Sequence, residues 1–396
     1  MPKKTVRDIE VSGKRVLIRV DFNVHLGEGG EIEDDTRIRA SLPTLRYLLE
    51  RGASLVIMSH LGRPKGKVDE RLRLDPVAAR LGELLGVEVR KLDEAVGPAV
   101  EEACARLQPG EVVLLENLRF YPGETDNDPD FAASLARLGD VYVNDAFGAA
   151  HRAHASVVGV ARHLPAVAGL LMEKEITSLD RLLHEPARPF IAILGGSKIS
   201  DKLKVLGKFQ EIVDAILLGG GMCFTVMKWQ GLEIGRSLCE DDLLAEVGEV
   251  IRESGGKRAE MLLPLDLVVA ADFREDAESR VVEAGAIPEG WMGLDIGPRT
   301  VAAYVKRIGE AATIFWSGPM GVFEWERFQE GTRAVAEAIA ASEAVTVAGG
   351  GDTIAAIRKY GLEDSFTHIS TGGGASMEYL EGRPLPGVEA LQDSEG

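Results

Sequence analysis

The sequence is poor in cysteine and in positive charge. Its three cysteines, Cys104, Cys223 and Cys239, are too few and too scattered for a disulfide framework or a clustered metal site, which predicts a reducing compartment. Lys and Arg total 45 against 63 for Asp and Glu, and the resulting formal net charge of −18 argues against nonspecific binding to nucleic acids or membrane surfaces. Any anion-binding site must therefore be local.

Long apolar runs and two familiar nucleotide motifs are also missing. No uncharged stretch approaches the ~18 residues of a membrane span, and the N-terminus lacks the apolar core of a signal peptide, so we expect a cytoplasmic protein without membrane contact. The sequence contains no G-x-x-x-x-G-K-[ST] loop and no G-x-G-x-x-G after a strand. These absences disfavour a P-loop protein and an ordinary dinucleotide-binding enzyme.

What is present is an alternation of short apolar runs and longer segments of helical period. The length of 396 residues and the 45% hydrophobic content exceed what one core usually organises. The alternation is typical of βαβ units, so we predict an α/β fold of two doubly wound, Rossmann-like parallel-sheet domains. The predicted strands are 16–20, 55–58, 112–115, 141–143, 190–194, 215–218, 312–316 and 345–348. The predicted helices include 37–50, 76–85 and 170–183.

A helix and a proline pair divide the chain. The predicted helix at 170–183 is stopped by Pro186 and Pro189, since proline cannot continue a helix, and it indicates a hinge. We therefore predict a first domain at 1–170, a hinge helix at 171–186 and a second domain at 187–378. The last segment, 379–396, is rich in proline and glycine and is either a disordered tail or a strap on another element.

In the first half, apolar runs end in basic groups. Arginine matches phosphate or carboxylate bidentately, and several arginines converging on one cleft indicate a site for a small polyanion. Each one alone could instead be a surface or ion-pair residue. His151 and His154 have no carboxylate or cysteine cluster beside them and do not predict a metal site. The basic groups at strand ends are Arg19, Arg37, Arg63, Arg119, Arg152, His60 and His151.

In the second half, comparable runs end in glycine. Glycine permits positive φ and close backbone approach, and a helix starting there presents free N–H groups to phosphate. Each run could also be a tight strand-to-helix turn alone. Asp352 could cap a helix or hold a magnesium ion, and Lys198 and Lys202 would share one helix face if Ser197 were a helix cap. The glycine runs lie at 195–196, 219–221, 349–351 and 372–374.

These motifs, in this order, closely resemble the phosphoglycerate kinase family. The resemblance covers the chain from about residue 19 to residue 391. It rests on Arg-Val-Asp-Phe-Asn-Val at 19–24, Asp-Asp-Thr-Arg-Ile at 34–38, Ser-His-Leu-Gly-Arg-Pro at 59–64, Glu-Asn-Leu-Arg-Phe at 116–120, Asn-Asp-Ala-Phe at 144–147, His-Arg-Ala-His at 151–154, Gly-Gly-Ser-Lys at 195–198, Gly-Pro-Met-Gly-Val-Phe-Glu at 318–324, Gly-Gly-Gly-Asp-Thr at 349–353 and Ser-Thr-Gly-Gly-Gly-Ala at 370–375.

The resemblance implies reversible Mg²⁺-dependent phosphoryl transfer between 1,3-bisphosphoglycerate and ADP, by direct in-line transfer with hinge closure, in a monomer. It implies that the first domain binds 3-phosphoglycerate or 1,3-bisphosphoglycerate, that the second binds ATP or ADP, and that 379–396 packs back on the first. The implied substrate-binding residues are Arg19, Asp21, Asn23, Arg37, His60, Arg63, Arg119, His151 and Arg152. The implied catalytic residues are Arg37, Lys198, Lys202, Gly351 and Gly373, and the metal residue is Asp352.

The same resemblance assigns the nucleotide contacts. Glu324 would bind the ribose, Thr353 the phosphate chain, and Gly293 and Leu294 the adenine pocket. The full implied set is Gly196, Lys198, Lys202, Gly220, Gly293, Leu294, Pro319, Glu324, Gly350, Gly351, Asp352, Thr353, Gly372 and Gly373. Two departures stand out, because Ser317 occupies a position where the family commonly has asparagine and His25 one where proline is usual.

Two other functions compete with a kinase. A two-domain dehydrogenase or other nucleotide-dependent transferase is disfavoured by the missing dinucleotide motif. A noncatalytic nucleotide-binding protein would keep the pockets and lose turnover, and Ser317 is the residue that favours it. An acyl phosphate forms on a carboxylate that is already ionised at neutral pH, so the kinase reaction needs no general base. The absence of an obvious catalytic acid–base pair in the sequence is consistent with this chemistry.

Overall fold

The computed structural model describes residues 2–27, 29–253 and 259–394 and divides the chain into two compact units. Unit 1 comprises Met1–Thr177 together with Pro384–Gly396, and unit 2 comprises Ser178–Arg383. The chain crosses between the units twice, inside the helix Leu170–His184 and again after Arg383. No described helix is long and apolar enough to cross a membrane.

Unit 1 contains a six-stranded, wholly parallel sheet with the strand order β5-β6-β4-β1-β7-β8 and a two-stranded antiparallel pair, β2-β3. Its strands are β1 (Arg15–Arg19), β2 (His25–Leu26), β3 (Ile32–Asp34), β4 (Ser54–Met58), β5 (Val89–Lys91), β6 (Val112–Leu114), β7 (Val141–Asn144) and β8 (Ala166–Ala168). Its helices are α1 (Thr36–Glu50), α2 (Asp75–Leu85), α3 (Pro98–Ala105), α4 (Pro122–Thr125), α5 (Pro129–Ala136), the first part of α6 (Leu170–His184) and the last helix of the chain, α14 (Pro386–Glu389).

Unit 2 contains a second six-stranded parallel sheet, with the order β11-β10-β9-β15-β16-β17, and a three-stranded antiparallel sheet, β13-β12-β14. Its strands are β9 (Phe190–Leu194), β10 (Ala215–Leu218), β11 (Glu260–Leu262), β12 (Asp266–Ala270), β13 (Ser279–Glu283), β14 (Met292–Ile296), β15 (Thr313–Ser317), β16 (Val345–Ala348) and β17 (His368–Ile369). Its helices are α7 (Leu203–Ile212), α8 (Met222–Trp229), α9 (Leu244–Glu253), α10 (Pro298–Gly309), α11 (Glu330–Ala340), α12 (Gly351–Lys359) and α13 (Gly374–Leu380).

The parallel strands form where the sequence is apolar on both faces. Every residue of β4 and of β9 is buried, as expected for strands with helices on both sides of the sheet. In α1 the buried apolar residues Ile38, Leu42, Leu45 and Leu48 recur at helical spacing, so one face of that helix packs on the core of unit 1. The predicted α/β fold of two doubly wound domains is confirmed. The eight predicted strands and the helices predicted at 37–50, 76–85 and 170–183 agree with the structure to within one residue at either end.

The C-terminal segment binds unit 1. The Gly387 N–H donates to the carbonyl of Ala150 at 2.8 Å, and the Gln392 N–H donates to the carbonyl of Ala166 at 3.0 Å. The Lys3 ammonium pairs with Asp393 at 2.8 Å. Residues 384–394 therefore form a strap over unit 1, whereas residues 379–383 belong to unit 2.

Candidate functional site

The basic motifs of unit 1 lie at the carboxyl ends of its central strands. Arg19 is the last residue of β1, and His60 follows β4 by two residues. These two strands are hydrogen-bonded neighbours, with Arg19 paired to Met58 in the register. Parallel strands end at the same edge of a sheet, which is where ligands bind in open α/β sheets.

Arg19 is completely buried beneath this edge. Its Nε donates to the Ser156 hydroxyl at 2.8 Å, its Nη1 donates to the carbonyl of Val20, and its Nη2 lies 2.9 Å from Nδ1 of His60. A side chain with no exposed surface cannot contact a ligand directly. The prediction that Arg19 binds substrate is therefore revised, since this arginine reaches the site only through His60.

His60 is 4% exposed and is surrounded by cations. Burial, followed by the charges of Arg19, Arg119, Arg37 and His154, lowers the pKa of His60 well below its usual range. The imidazole is therefore neutral at neutral pH. Because a guanidinium has only donors, Nδ1 of His60 must accept from Arg19, which leaves the ring proton on Nε2.

Arg119 lies against the loop that carries His60. Its Nη1 donates to the carbonyl of Gly62 at 2.7 Å, and the residue is 9% exposed. Burial, followed by the charges of Arg19 and Arg152, lowers the pKa of Arg119 to about 10, and the carboxylates of Glu124 and Asp21 offset this only in part. Cations crowded in this way favour the binding of an anion.

Asp21 and Arg37 form the ion pair of the cluster. Nη1 of Arg37 lies 3.0 Å from both carboxylate oxygens of Asp21, and the arginine side chain is 38% exposed. Asn23 accepts from the Gly62 N–H at 2.8 Å through Oδ1, which ties the loop after β1 to the loop after β4. Arg63 is exposed, and Arg152 is half-buried with its Nε 3.0 Å from Nε2 of His151.

Two positioning residues in unit 1 were missed by the sequence argument. Asn117 is buried and uses its whole amide: Oδ1 accepts from the N–H groups of Leu61 and Arg119, and Nδ2 donates to the carbonyls of Leu61 and Leu72. It thereby joins the His60 loop to Arg119. Glu124, also fully buried, binds Ser156 behind Arg19. Asn117 lies in the Glu-Asn-Leu-Arg-Phe motif at 116–120, whereas Glu124 lies in a polar run at 124–128 that gives no sign of burial.

The glycine turns of unit 2 meet where the order of the parallel sheet reverses. Strands β9 and β15 are neighbours there, and the turns that follow them are bonded: the Gly196 N–H donates to the carbonyl of Pro319 at 2.8 Å. The Gly220 N–H donates to the carbonyl of Met320 at 2.9 Å. A Cβ on Gly220 would lie 2.6 Å from the backbone N and O of Gly196, so this close approach requires glycine.

The expected helix cap at Ser197 is wrong. Helix α7 begins at Leu203, and residues 197–202 form an irregular loop. Ser200 holds that loop, because its N–H and hydroxyl both donate to Glu240, at 2.9 and 2.7 Å. Lys198 and Lys202 are therefore not neighbours on one helix face. Lys202 is half-buried, with Nζ 3.3 Å from the position of a Cβ on Gly196, and burial lowers its pKa.

Helix α12 begins in the third glycine run. Gly350 precedes it with φ 102°, and Asp352 is the exposed second residue of the helix rather than its cap. Among the described residues no group of three His, Cys, Asp or Glu side chains could hold a metal ion. The lone carboxylate of Asp352 suits Mg²⁺, which takes its remaining ligands from nucleotide phosphates and water.

Thr353 is also placed differently from the expectation. It is 0% exposed, its hydroxyl accepts from the Gly318 N–H at 2.7 Å, and it donates to the carbonyl of Gly349 at 2.9 Å. The side chain thus joins the third glycine run to the Gly318–Pro319 turn. Ser317 is 2% exposed, with its hydroxyl 3.8 Å from the sulfur of Met377.

The remaining nucleotide-binding candidates are spread over several elements of unit 2. Gly372 and Gly373 precede α13, and φ of Gly373 is 53°. In β14, a Cβ on Gly293 would lie 2.2 Å from Phe224, while Leu294 is 7% exposed and packs in a small apolar cluster. Glu324 is exposed, and its carbonyl accepts from Lys359 at 3.2 Å.

Comparison with known proteins gives one consistent family. A family profile described as phosphoglycerate kinase matches residues 6–383. The phosphoglycerate kinases of Rubrobacter xylanophilus and Moorella thermoacetica are 60% and 57% identical to this chain over 395 and 393 residues, covering 100% and 99% of it and 100% of each relative.

Solved structures agree with the sequence matches. The phosphoglycerate kinase structure from Coxiella burnetii has a TM-score of 0.90 at 40% identity and covers 98% of this chain and 99% of its own. The structure from Pyrococcus horikoshii has a TM-score of 0.84 at 35% identity, with coverages of 99% and 98%.

Proposed function

Because the chain belongs to the phosphoglycerate kinase family, we propose that it catalyses the reversible, Mg²⁺-dependent transfer of a phosphoryl group between 1,3-bisphosphoglycerate and ADP, giving 3-phosphoglycerate and ATP. The observation that carries the proposal is the crowding of cations in unit 1. His60 and Arg119 both have lowered pKa values because burial and neighbouring positive charges act on them. A small, highly charged anion would relieve that repulsion.

Unit 1 would hold the glycerate. The exposed Arg63, the half-buried Arg152 and the neutral donor His60 suit a phosphate, and arginine forks match its oxygens. Asp21 and Asn23 lie beside them and suit a hydroxyl and a carboxylate. Arg37 binds Asp21, and we propose that it exchanges this partner for the transferring phosphoryl group.

Unit 2 would hold the nucleotide. The tight turns at Gly196 and Gly220 leave backbone against which a flat base can lie, and the N-terminus of α12 offers N–H groups to phosphates. Asp352 would hold the Mg²⁺, which supplies charge neutralisation at the phosphates when bound. Burial lowers the pKa of Lys202, and Asp201 and Asp352 offset this only in part, so phosphate oxygens beside its ammonium would stabilise the charged form.

The chemistry asks little covalent work of these residues. Phosphoryl transfer proceeds in line, and catalysis consists mainly of positioning and of neutralising charge on the equatorial oxygens. The acceptor carboxylate of 3-phosphoglycerate is ionised at neutral pH, so no side chain need remove a proton. We further propose that motion about the segment joining the units brings donor and acceptor together and excludes water.

The first test is a coupled assay of 1,3-bisphosphoglycerate formation from MgATP and 3-phosphoglycerate. We expect Mg²⁺-dependent turnover, and a loss of kcat of about 10³-fold in Arg37→Ala, since charge-stabilising groups contribute on that scale. Arg39→Ala is the matched control, because Arg39 lies on the same helix and pairs with Asp35 at the surface. Asp352→Asn should raise the Mg²⁺ requirement, whereas Asp364→Asn should not.

A folded wild-type chain that binds ATP without forming product would refute the proposed activity. It would favour a noncatalytic nucleotide-binding protein, and Ser317→Asn would then be the first variant to assay. The expected cytoplasmic location and monomeric state also belong to this proposal. Fractionation of the native host and light scattering during gel filtration test them.

A further inference from the structure

A buried chain of three side chains lies behind the anion-binding residues of unit 1, and none of the contacts proposed above explains it. Glu124 and Arg19 are both 0% exposed and carry opposite charges, and Ser156 joins them. Ser156 is also completely buried and lies in a five-residue π-helical turn, Ala155–Gly159. Such turns are rare and occur often at functional sites.

The hydrogen bonds in this chain have only one possible direction. Nε of Arg19 is a donor, so the Ser156 hydroxyl accepts from it at 2.8 Å and must donate its own proton to Oε1 of Glu124, at 2.6 Å. The Ser156 N–H donates to the other carboxylate oxygen at 2.9 Å. The Glu124 carboxylate therefore fixes the rotamer of Ser156, and Ser156 fixes the position of Nε of the Arg19 guanidinium.

The other edge of the guanidinium meets His60. Nη1 of Arg19 is bound to the carbonyl of Val20, so the planar group cannot rotate, and Nη2 is directed at Nδ1 of His60 at 2.9 Å. A protonated Nδ1 would place two donors against each other. The arrangement thus selects the neutral tautomer with hydrogen on Nε2 and excludes the imidazolium.

We propose that Glu124, Ser156 and Arg19 form a positioning chain that fixes His60 as a neutral Nε2–H donor toward the phosphate of the glycerate substrate. The proposal rests on the proposed function for the identity of the anion. In this arrangement His60 recognises phosphate by a directed hydrogen bond, and the charge that attracts the phosphate comes from the arginines around it.

The charges around His60 and around Glu124 are consistent with the positioning of His60 as a neutral donor. The charged groups acting on His60 are Arg19, Arg119, Arg37 and His154, and all of them lower its pKa. Burial alone would raise the pKa of Glu124, but His154, Arg19 and the bonds from Ser156 lower it, so the carboxylate stays ionised. His154 lies 3.6 Å from Glu124, beyond a hydrogen bond.

The test is an NMR titration of the full-length chain labelled with ¹⁵N in its seven histidines, with His60 assigned by its loss in His60→Gln. Between pH 5.5 and 8.5 we expect His60 in the wild type to stay neutral, with its proton on Nε2. In Arg19→Met we expect both tautomers and a raised pKa of His60, which stays below the ordinary histidine value because burial and the charges of Arg119 and Arg37 remain. Arg15→Met, on the same strand but paired with Asp140 at the surface, should leave the His60 signals unchanged.

Kinetics on the same variants separate positioning from folding. We expect Arg19→Met to raise KM for 3-phosphoglycerate about tenfold at pH 8, the size of one hydrogen bond to a charged group, with KM for ATP unchanged. The ratio of variant to wild-type KM should fall as pH is lowered through the raised pKa of His60 in the variant, and this ratio cancels the titration of the substrate itself. Ser156→Ala retains the charges of Glu124 and Arg19 and should also raise KM for 3-phosphoglycerate, by a smaller factor. It replaces Arg19→Met in these measurements if Arg19→Met does not fold.

Three results would overturn the proposal. One is a wild-type His60 that titrates near its ordinary pKa or carries its proton on Nδ1. The second is a His60 spectrum unchanged in both Arg19→Met and Ser156→Ala, even if those variants melt at lower temperature. The third is an altered tautomer with no change in KM for 3-phosphoglycerate. The spectra are recorded without substrate, so absence of turnover in the wild type would refute the proposed function and leave the test of the tautomer intact.

Discussion

Replacing Thr353 by valine should destabilise the glycine turns of unit 2. The hydroxyl is buried, accepts from the Gly318 N–H and donates to the carbonyl of Gly349. Valine keeps the shape and removes both bonds. A buried donor left unpaired costs about 1–3 kcal/mol, and the lost donated bond costs about 1 kcal/mol more, so we expect unit 2 to lose about 2–4 kcal/mol of unfolding free energy.

Urea unfolding monitored by tryptophan fluorescence measures this loss, since all four tryptophans lie in unit 2. With an m-value of about 2 kcal/mol per molar, the midpoint of that transition should fall by about 1–2 M. Thr353→Ser is the matched control, because it keeps the hydroxyl and deletes one methyl group, at about 1 kcal/mol. Equal midpoints for the valine and serine variants would show that the two hydrogen bonds do not stabilise the glycine turns. KM for ATP should rise in the valine variant, with KM for 3-phosphoglycerate unchanged.

Three further predictions concern unit 1. Burial raises the pKa of Asp145 from 3.8 to about 6, so the stability that its protonated form contributes is complete below pH 3.8 and lost as pH rises through 6. Asp145→Asn should remove about 2 kcal/mol of pH-dependent unfolding free energy between pH 4 and 7, measured as the difference from wild type. Asn117→Leu removes four hydrogen bonds around the His60 loop and should raise KM for 3-phosphoglycerate at least tenfold, with KM for ATP unchanged in the same assay. Gly387→Val would bring a Cβ to 2.6 Å from Val157 and 2.9 Å from Ala150, so limited proteolysis should release the strap, and an uncut C-terminus would contradict this.

The sequence predicted the parallel sheets well because their strands carry their own signal. A continuous apolar run such as Phe190–Leu194, closed by glycine, marks a buried strand without reference to the rest of the chain. The antiparallel sheet of β12, β13 and β14 was not predicted. Strand β13 has a largely exposed pattern, and its place in a sheet depends on pairing with β12 across a turn.

The sequence motifs identified the candidate residues better than they predicted the contacts that each residue makes. Ser197 fails as a helix cap because Glu240, forty residues away along the chain from Ser200, holds the loop in another shape. Arg19 and Thr353 belong to the right motifs, but both are buried and act on neighbouring groups. Burial and long-range hydrogen bonds depend on tertiary packing, and a motif alone does not contain that information.

Because the strap of residues 384–394 is translated last, the final hydrogen bonds of unit 1 depend on the order of synthesis. Unit 1 includes the first 177 residues, yet Ala150 and Ala166 receive their backbone partners, Gly387 and Gln392, only after all of unit 2 has been translated. Translation therefore completes unit 2 before unit 1 has all of its backbone partners. Unit 1 is translated first and completed last, so a nascent chain stalled before Gly387 would lack the hydrogen bonds that hold the strap to unit 1.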